Sequence, residues 1–168
     1  MSREELILAI IDRVRANQVL TDMLDQAAAD YLGINRTDAR ALDVIDRHHR
    51  ITAGELAREL RMSTGAVTTV VDRLERAGLA RRVSDPEDRR RVLIETTPVV
   101  TDTALRIYGS YDDAFRLYGG YTEDELELIL RFQQLGRVWL EDRLARAADL
   151  VREPKPADRG TRARRGSR

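Results

Sequence analysis

The chain has 168 residues, 42% hydrophobic and 35% charged, with 29 basic and 29 acidic side chains and a formal net charge of zero. That is enough apolar material for one compact domain with an unusually charged surface, but only 5% is aromatic, so the core must be mostly Leu, Val, Ile and Ala. The lack of cysteine excludes a disulfide framework, a thiolate metal site and a thiol redox sensor, and the only histidines, His48 and His49, are neighbours that would point about 100° apart on a helix, a poor metal pair.

Ser2 followed by Glu5 forms a capping box, which starts a helix. Leu6, Ile7, Ile10, Ile11 and Val14, then Leu20, Met23, Leu24, Ala27 and Ala28, keep helical spacing to about residue 29. Gly33-Ile34-Asn35 breaks this helix. Asn35 or Thr37 then caps a second one, running to about His49 and burying Leu42 and Ile45.

Residues 51–97 are the most informative. Thr52 with Glu55 is a second capping box, opening a short helix that buries Leu56, Ala57 and Leu60. Arg61-Met62 is a tight turn. Ser63 caps the next helix, from Thr64 to about Ala77, with Gly78 as its stop. Two helices joined by so short a turn make a helix-turn-helix. Residues 79–83 and 91–95 read as strands around the turn-rich Ser84-Asp85-Pro86-Glu87-Asp88, giving a short hairpin, or wing.

Pro98 sits near the start of a further helix expected to run unbroken to about Tyr118, where Gly119-Gly120 stops it. Thr122 with Glu125 opens the last helix, which carries Leu126, Ile129, Leu130, Phe132, Leu135, Val138, Trp139, Leu140 and Leu144 and ends near Val151. Residues 152–168 hold seven basic groups and two acids, a net of +5 that leaves −5 on the rest. This segment reads as a disordered basic tail.

The segment from Thr52 to Thr97 resembles the MarR family of winged helix-turn-helix transcriptional regulators. The family pattern V-x-x-L-x-x-x-G-L is supplied by Val71, Leu74, Gly78 and Leu79. The wing pattern D-x-R-x-x-x-x-x-L-T is met at Asp88, Arg90 and Thr97, with Thr96 where Leu is usual. Two positions depart from the family: Arg61 stands where Gly is frequent, and Pro98-Val99-Val100 replace a Gly that often follows the wing.

The expected fold is mainly α with a small β-hairpin wing, a winged helix-turn-helix with flanking dimerisation helices. The expected segments are an N-terminal dimerisation helix over 1–34, a DNA-binding domain over 35–97, C-terminal dimerisation helices over 98–151 and the tail over 152–168. Pairing through the terminal helices is what the resemblance implies. A two-fold dimer would present two such domains about one DNA turn, roughly 10 bp, apart, on a near-palindromic operator.

The DNA-binding expectation rests on one helix face. Val67, Val70, Val71 and Leu74 form the buried stripe of the helix after Ser63. The opposite face presents Gly65, Thr68, Thr69, Asp72 and Arg76, with Thr64 and Arg73 beside it. A solvated face normally prefers Glu and Lys, whereas Thr and Gly have poor helix propensity. Small polar residues fit deep in a major groove, where Thr can bond base edges and touch the thymine methyl. Arg73 and the helix N-termini at Thr52 and Ser63 are expected on phosphates. The wing carries Arg89, Arg90 and Arg91, which strand alternation would point to opposite faces. The resemblance places Arg90 in the minor groove, braced by Asp88, and Arg89 is a further candidate DNA contact.

The resemblance also implies a homodimeric repressor that responds to a small-molecule effector, for which Tyr31, Tyr108, Tyr111 and Arg15 are candidate lining residues. The alternative is a winged-helix dimerisation or protein-interaction module that does not read DNA; the Thr face and the wing arginines separate the two. No phosphate-cradling loop or G-x-S-x-G turn is present, and the acid runs at Asp112-Asp113 and Glu123-Asp124-Glu125 suggest no convergent acid–base pair. The expectation is therefore no enzyme, no cofactor and no metal. No apolar run reaches the roughly 18 residues of a membrane span, and the acidic N-terminus is unlike a signal peptide, so a cytoplasmic location is expected.

Overall fold

A computed structural model describes residues 1–152. The elements run α1 (Arg3–Leu32), α2 (Arg36–His48), β1 (Ile51–Thr52), α3 (Ala53–Leu60), α4 (Thr64–Arg76), β2 (Ala80–Ser84), β3 (Val92–Thr96), α5 (Pro98–Tyr108), α6 (Tyr111–Tyr118) and α7 (Glu123–Arg152). The chain divides into two compact units, one over Met1–Tyr111 and a second that begins at Asp112. The reading of residues 153–168 as a disordered tail lies outside the described residues.

In the first unit, the core is where the sequence stripes predict it. Leu42 and Ile45 of α2, Leu56 and Ala57 of α3, and Val67, Val70, Val71 and Leu74 of α4 meet Ile51, Leu79 and Ile94 from the sheet. Leu32, Ile34, Leu60 and Met62 pack against this cluster from its edge. Each of the three helices has one apolar face because its apolar residues recur at three- and four-residue intervals.

The helix starts follow from side-chain chemistry. Ser2 and Thr52 form complete capping boxes with Glu5 and Glu55, and Asn35 Oδ1 accepts from the N–H groups of Thr37 and Asp38. α1 runs three residues past the expected end because Gly33 supplies the left-handed stop, at φ 67°, and donates to Ala29 and Asp30. Arg61 takes the left-handed conformation, φ 53°, that Gly would adopt more cheaply. Pro98 fills the first turn of α5, so the Gly often found after the wing is not needed.

Two expectations are corrected. The sheet has three strands, not two: Ile51–Thr52 pairs antiparallel with β3 (Ile51 opposite Ile94), giving the order β1-β3-β2. The helix after Pro98 does not run unbroken to Tyr118. It stops at Tyr108, and Gly109, at φ 86° and ψ 178°, stands in a region essentially reserved for glycine before α6 begins.

α1 packs on α2 and α5 only through its C-terminal part, and Ala29 is its one buried residue. Leu6, Ile7, Ile10, Ile11, Val14, Leu20 and Met23 are exposed. In the second unit, α7 starts from a Thr122–Glu125 capping pair, with Thr122 N–H donating to Glu125 at 2.8 Å. Its Leu130, Phe132, Leu135, Val138, Trp139 and Leu144 are likewise exposed. Among the described residues, no helix is long and apolar enough to cross a membrane.

Candidate nucleic-acid interface

α4 presents the expected face to solvent. Thr64, Gly65, Thr68, Thr69, Asp72 and Arg76 are all exposed, while Val67, Val70, Val71 and Leu74 are buried beneath them. A Cβ added at Gly65 would meet nothing within 4 Å. No intrachain packing therefore requires glycine there.

The Thr68 and Thr69 hydroxyls are already committed as donors. Each bonds the carbonyl four residues back, Thr68 to Thr64 O at 3.0 Å and Thr69 to Gly65 O at 3.1 Å. What this face offers outward is oxygen lone pairs and methyl groups. Such groups can accept from an exocyclic amino group or touch a thymine methyl.

The two helix N-termini differ. Ser63 Oγ accepts from Ala66 N–H at 3.3 Å, and the first turn of α4 holds no acid. Its remaining backbone N–H groups suit an anion. At α3, Thr52 is already occupied. Its hydroxyl donates to Glu55 Oε2 at 2.6 Å and its N–H donates to the same oxygen at 2.9 Å. Those bonds hold the Glu55 carboxyl below its usual range. The α3 terminus thus carries its own anion, and Thr52 serves as a cap with no hydroxyl proton left for a phosphate.

Arg73, expected on a phosphate, is tied within the chain to Asp38. Its Nε donates to Asp38 Oδ2 at 2.9 Å and its Nη2 to Asp38 Oδ1, a paired contact onto a side chain only 4% exposed. Asn35 Nδ2 donates to the same Asp38 Oδ2 at 2.8 Å. Two of the five guanidinium N–H groups are thereby spent on α2, and Arg73 acts first as a strut under α4.

At the wing tip, Asp88 to Arg91 form a turn and not a strand, with Arg91 N–H donating to Asp88 O at 2.8 Å. Strand alternation therefore does not apply to these arginines. Asp88 Oδ1 accepts from Arg90 N–H at 3.0 Å, so it braces the backbone of Arg90 and leaves the guanidinium unheld. Arg91 lies 3.6 Å from Asp85. Arg89 and Arg90 are exposed and make no ion pair among the described residues. These are the two cations at the tip available to a partner.

The base of the wing is fixed by charge. Glu95 of β3 accepts from Arg50 Nε at 2.8 Å and from Arg81 Nε at 2.8 Å. These bonds, Arg50 first, hold its carboxyl below the usual range despite burial. Arg82 of β2 reaches across to Asp72 and Glu75 of α4, contacts not foreseen from the sequence.

A cavity of about 440 Å³ lies between α1, α2 and α5, lined by Asp25, Ala29, Leu42, Val100, Thr103 and Tyr108 among others. Tyr108 is the only one of the four candidate effector residues that lines it. Tyr31 instead accepts from Arg106 at 2.9 Å, and Tyr111 is 83% exposed. Arg15 is exposed on α1. Among the described residues no cluster of His, Asp or Glu could hold a metal ion.

Similarity to known proteins agrees with this layout. The MarR family pattern matches residues 32–91. Over 153 residues the chain is 37% identical to an uncharacterized HTH-type transcriptional regulator, YcgE, of Bacillus subtilis, spanning 90% of this chain and 92% of that protein. The fold is similar to that of the multiple antibiotic-resistance repressor of Listeria monocytogenes, with TM-score 0.53, 19% identity, and 84% and 99% of the two chains covered. It is also similar to Streptococcus pneumoniae FabT, solved in complex with DNA, with TM-score 0.51, 23% identity, and 79% and 98% covered.

Proposed function

The chain belongs to the MarR family of transcriptional regulators, and from that premise we propose that it is a homodimeric, ligand-responsive repressor that reads a near-palindromic operator. The observation that carries the reading is the exposed strip Thr64, Gly65, Thr68 and Thr69, small polar residues of poor helix propensity around a glycine with open space at its Cβ position. α4 enters the major groove with this strip against base edges. Ser63 and the open start of α4 hold a phosphate, and Arg89 and Arg90 at the wing tip reach the adjacent minor groove.

Dimerisation is supported by the exposed apolar residues of α1 in the first unit and of α7 in the second. Contiguous exposure on this scale marks an interaction surface. Ligand response is supported by the cavity beside Tyr108, where apolar side chains such as Leu32, Leu42 and Val100 stand beside charged ones, Asp22, Asp25, Asp43, Asp46, Arg36 and Arg40. An occupant there contacts α1, α2 and α5 together, and a ligand that prefers one arrangement of those helices shifts the population that binds DNA.

The test is binding-site selection from random duplex DNA with the full chain. The expected result is an enriched, two-fold-related sequence with half-sites about 10 bp apart, bound by a dimer in sedimentation at micromolar protein. No enriched duplex at moderate salt, or a monomer throughout, overturns the reading.

A further inference from the structure

We propose that Arg82 is a positioning residue for DNA binding, shielding the two carboxylates of the groove-facing helix from the phosphates. This rests on the DNA-binding reading above. α4 carries two acids, Asp72 and Glu75. Asp72 follows Thr68 by four residues and Thr69 by three, so it lies on the same face one turn further along. Its side chain is 51% exposed. An uncompensated carboxylate at that place would face the densest negative charge the helix can meet.

Arg82 answers both acids from a neighbouring strand. Its Nη2 donates to Asp72 Oδ1 at 2.8 Å, its Nη1 donates to Glu75 Oε2, and its own backbone N–H donates to Glu75 Oε1 at 2.9 Å. Both terminal nitrogens are therefore engaged, which leaves this arginine poorly placed to take a phosphate itself. The planar fork matters: one guanidinium can meet two carboxylates from adjacent positions, whereas an ammonium is a single point charge. The other basic residues of α4 do not supply this. Arg73 is held by Asp38, and Arg76 Nε donates to the Asp72 carbonyl, not its carboxylate.

The shielding differs from a purely structural tie in one measurable way. Removing Arg82 exposes negative charge, and removing the charge as well should restore binding even though the tie is not rebuilt. The experiment measures affinity for the selected duplex and for an unrelated duplex, over a range of salt, by fluorescence anisotropy. Arg82→Gln should weaken binding to both by about tenfold or more at low salt, with the loss shrinking as salt screens the repulsion. The triple variant Asp72→Asn, Glu75→Gln, Arg82→Gln should recover most of that loss. A triple variant as weak as Arg82→Gln overturns the proposal, as does an Arg82→Gln protein that binds like wild type. Should Arg82→Gln fail to fold, the double variant Asp72→Asn, Glu75→Gln decides. With Arg82 kept, it should bind the unrelated duplex more tightly than wild type, and weaker binding overturns the idea. Failure of wild type to select any duplex removes the DNA reading and this inference together; a selecting wild type with no rescue removes this inference alone.

Discussion

The Tyr108 phenol of α5 donates to Asp25 Oδ1 of α1 at 2.8 Å. Partial burial of the ring, then the carboxylate beside it, push the phenol's pKa from 10.0 up to about 12. The folded state thus keeps a proton that the unfolded chain gives up. The contribution is complete below pH 10.0 and is lost as pH rises through about 12. An absorbance titration of the native protein should show a late phenolate step near the upper value. That step should vanish in Tyr108→Phe and move down in Asp25→Asn. A Tyr108→Phe titration identical to wild type would refute the coupling.

The Thr strip gives a second expectation. Thr68→Ala and Thr69→Ala should each weaken binding to the selected duplex by about 1–3 kcal/mol if the side chain meets a base. Both sites are exposed, and alanine is the better helix former, so thermal stability should hold or rise. Because each hydroxyl already donates within the helix, Thr→Val at the same sites separates the lone pairs from the methyl. Unchanged specific affinity in both alanine variants would remove α4 from the groove.

At the wing, Arg90→Ala should weaken binding to selected and unrelated duplexes, and more to the selected one, because an arginine in the minor groove reads its width. For every phosphate left without its cation, the slope of log affinity against log salt should become shallower by about 0.9. Arg89→Ala should act in the same direction, since neither guanidinium is paired among the described residues. Arg91→Ala should do less, because Arg91 already faces Asp85. A slope that does not move in Arg90→Ala would show that the tip does not touch the backbone.

Asp38→Ala should destabilise the first unit more than an ordinary surface change. It leaves the Arg73 guanidinium without its partner and removes a group that is almost wholly buried. The expected effect is a fall in Tm on the order of a few degrees in calorimetry. Arg73→Ala should lower Tm as well, and its effect on DNA should be of the same kind for every sequence. A selective loss at one base pair in Arg73→Ala would contradict the strut role.

Much of this architecture is legible in the sequence, and the misses have physical reasons. The capping boxes at Ser2, Thr52 and Thr122 fix helix starts because they are local chemistry, a side chain bonding an amide three residues on. The stripe in α4 is legible because four branched or aliphatic residues fall at one period. The strand Ile51–Thr52 is not, since two residues carry no alternation and its pairing with β3 is with residues more than 40 positions away. The break at Gly109 is hidden because apolar residues continue on both sides of it. Pairwise electrostatics were the least legible: nothing local marks Arg73 for Asp38 or Arg82 for Asp72, since both pairs are set by how separate elements pack.

Asn35, Asp38 and Arg73 form a short relay, from the residue that caps α2, through a buried carboxylate, to the middle of α4. Asn35 sits three residues beyond the last turn of α1. The attitude of α4 is therefore not a private property of the helix-turn-helix. Asp38 ties the α1–α2 connection to α4, because one buried carboxylate accepts from both Asn35 and Arg73. On the proposed DNA-binding reading, adjustment at that junction would reach the bound duplex with no change in the residues expected to touch it.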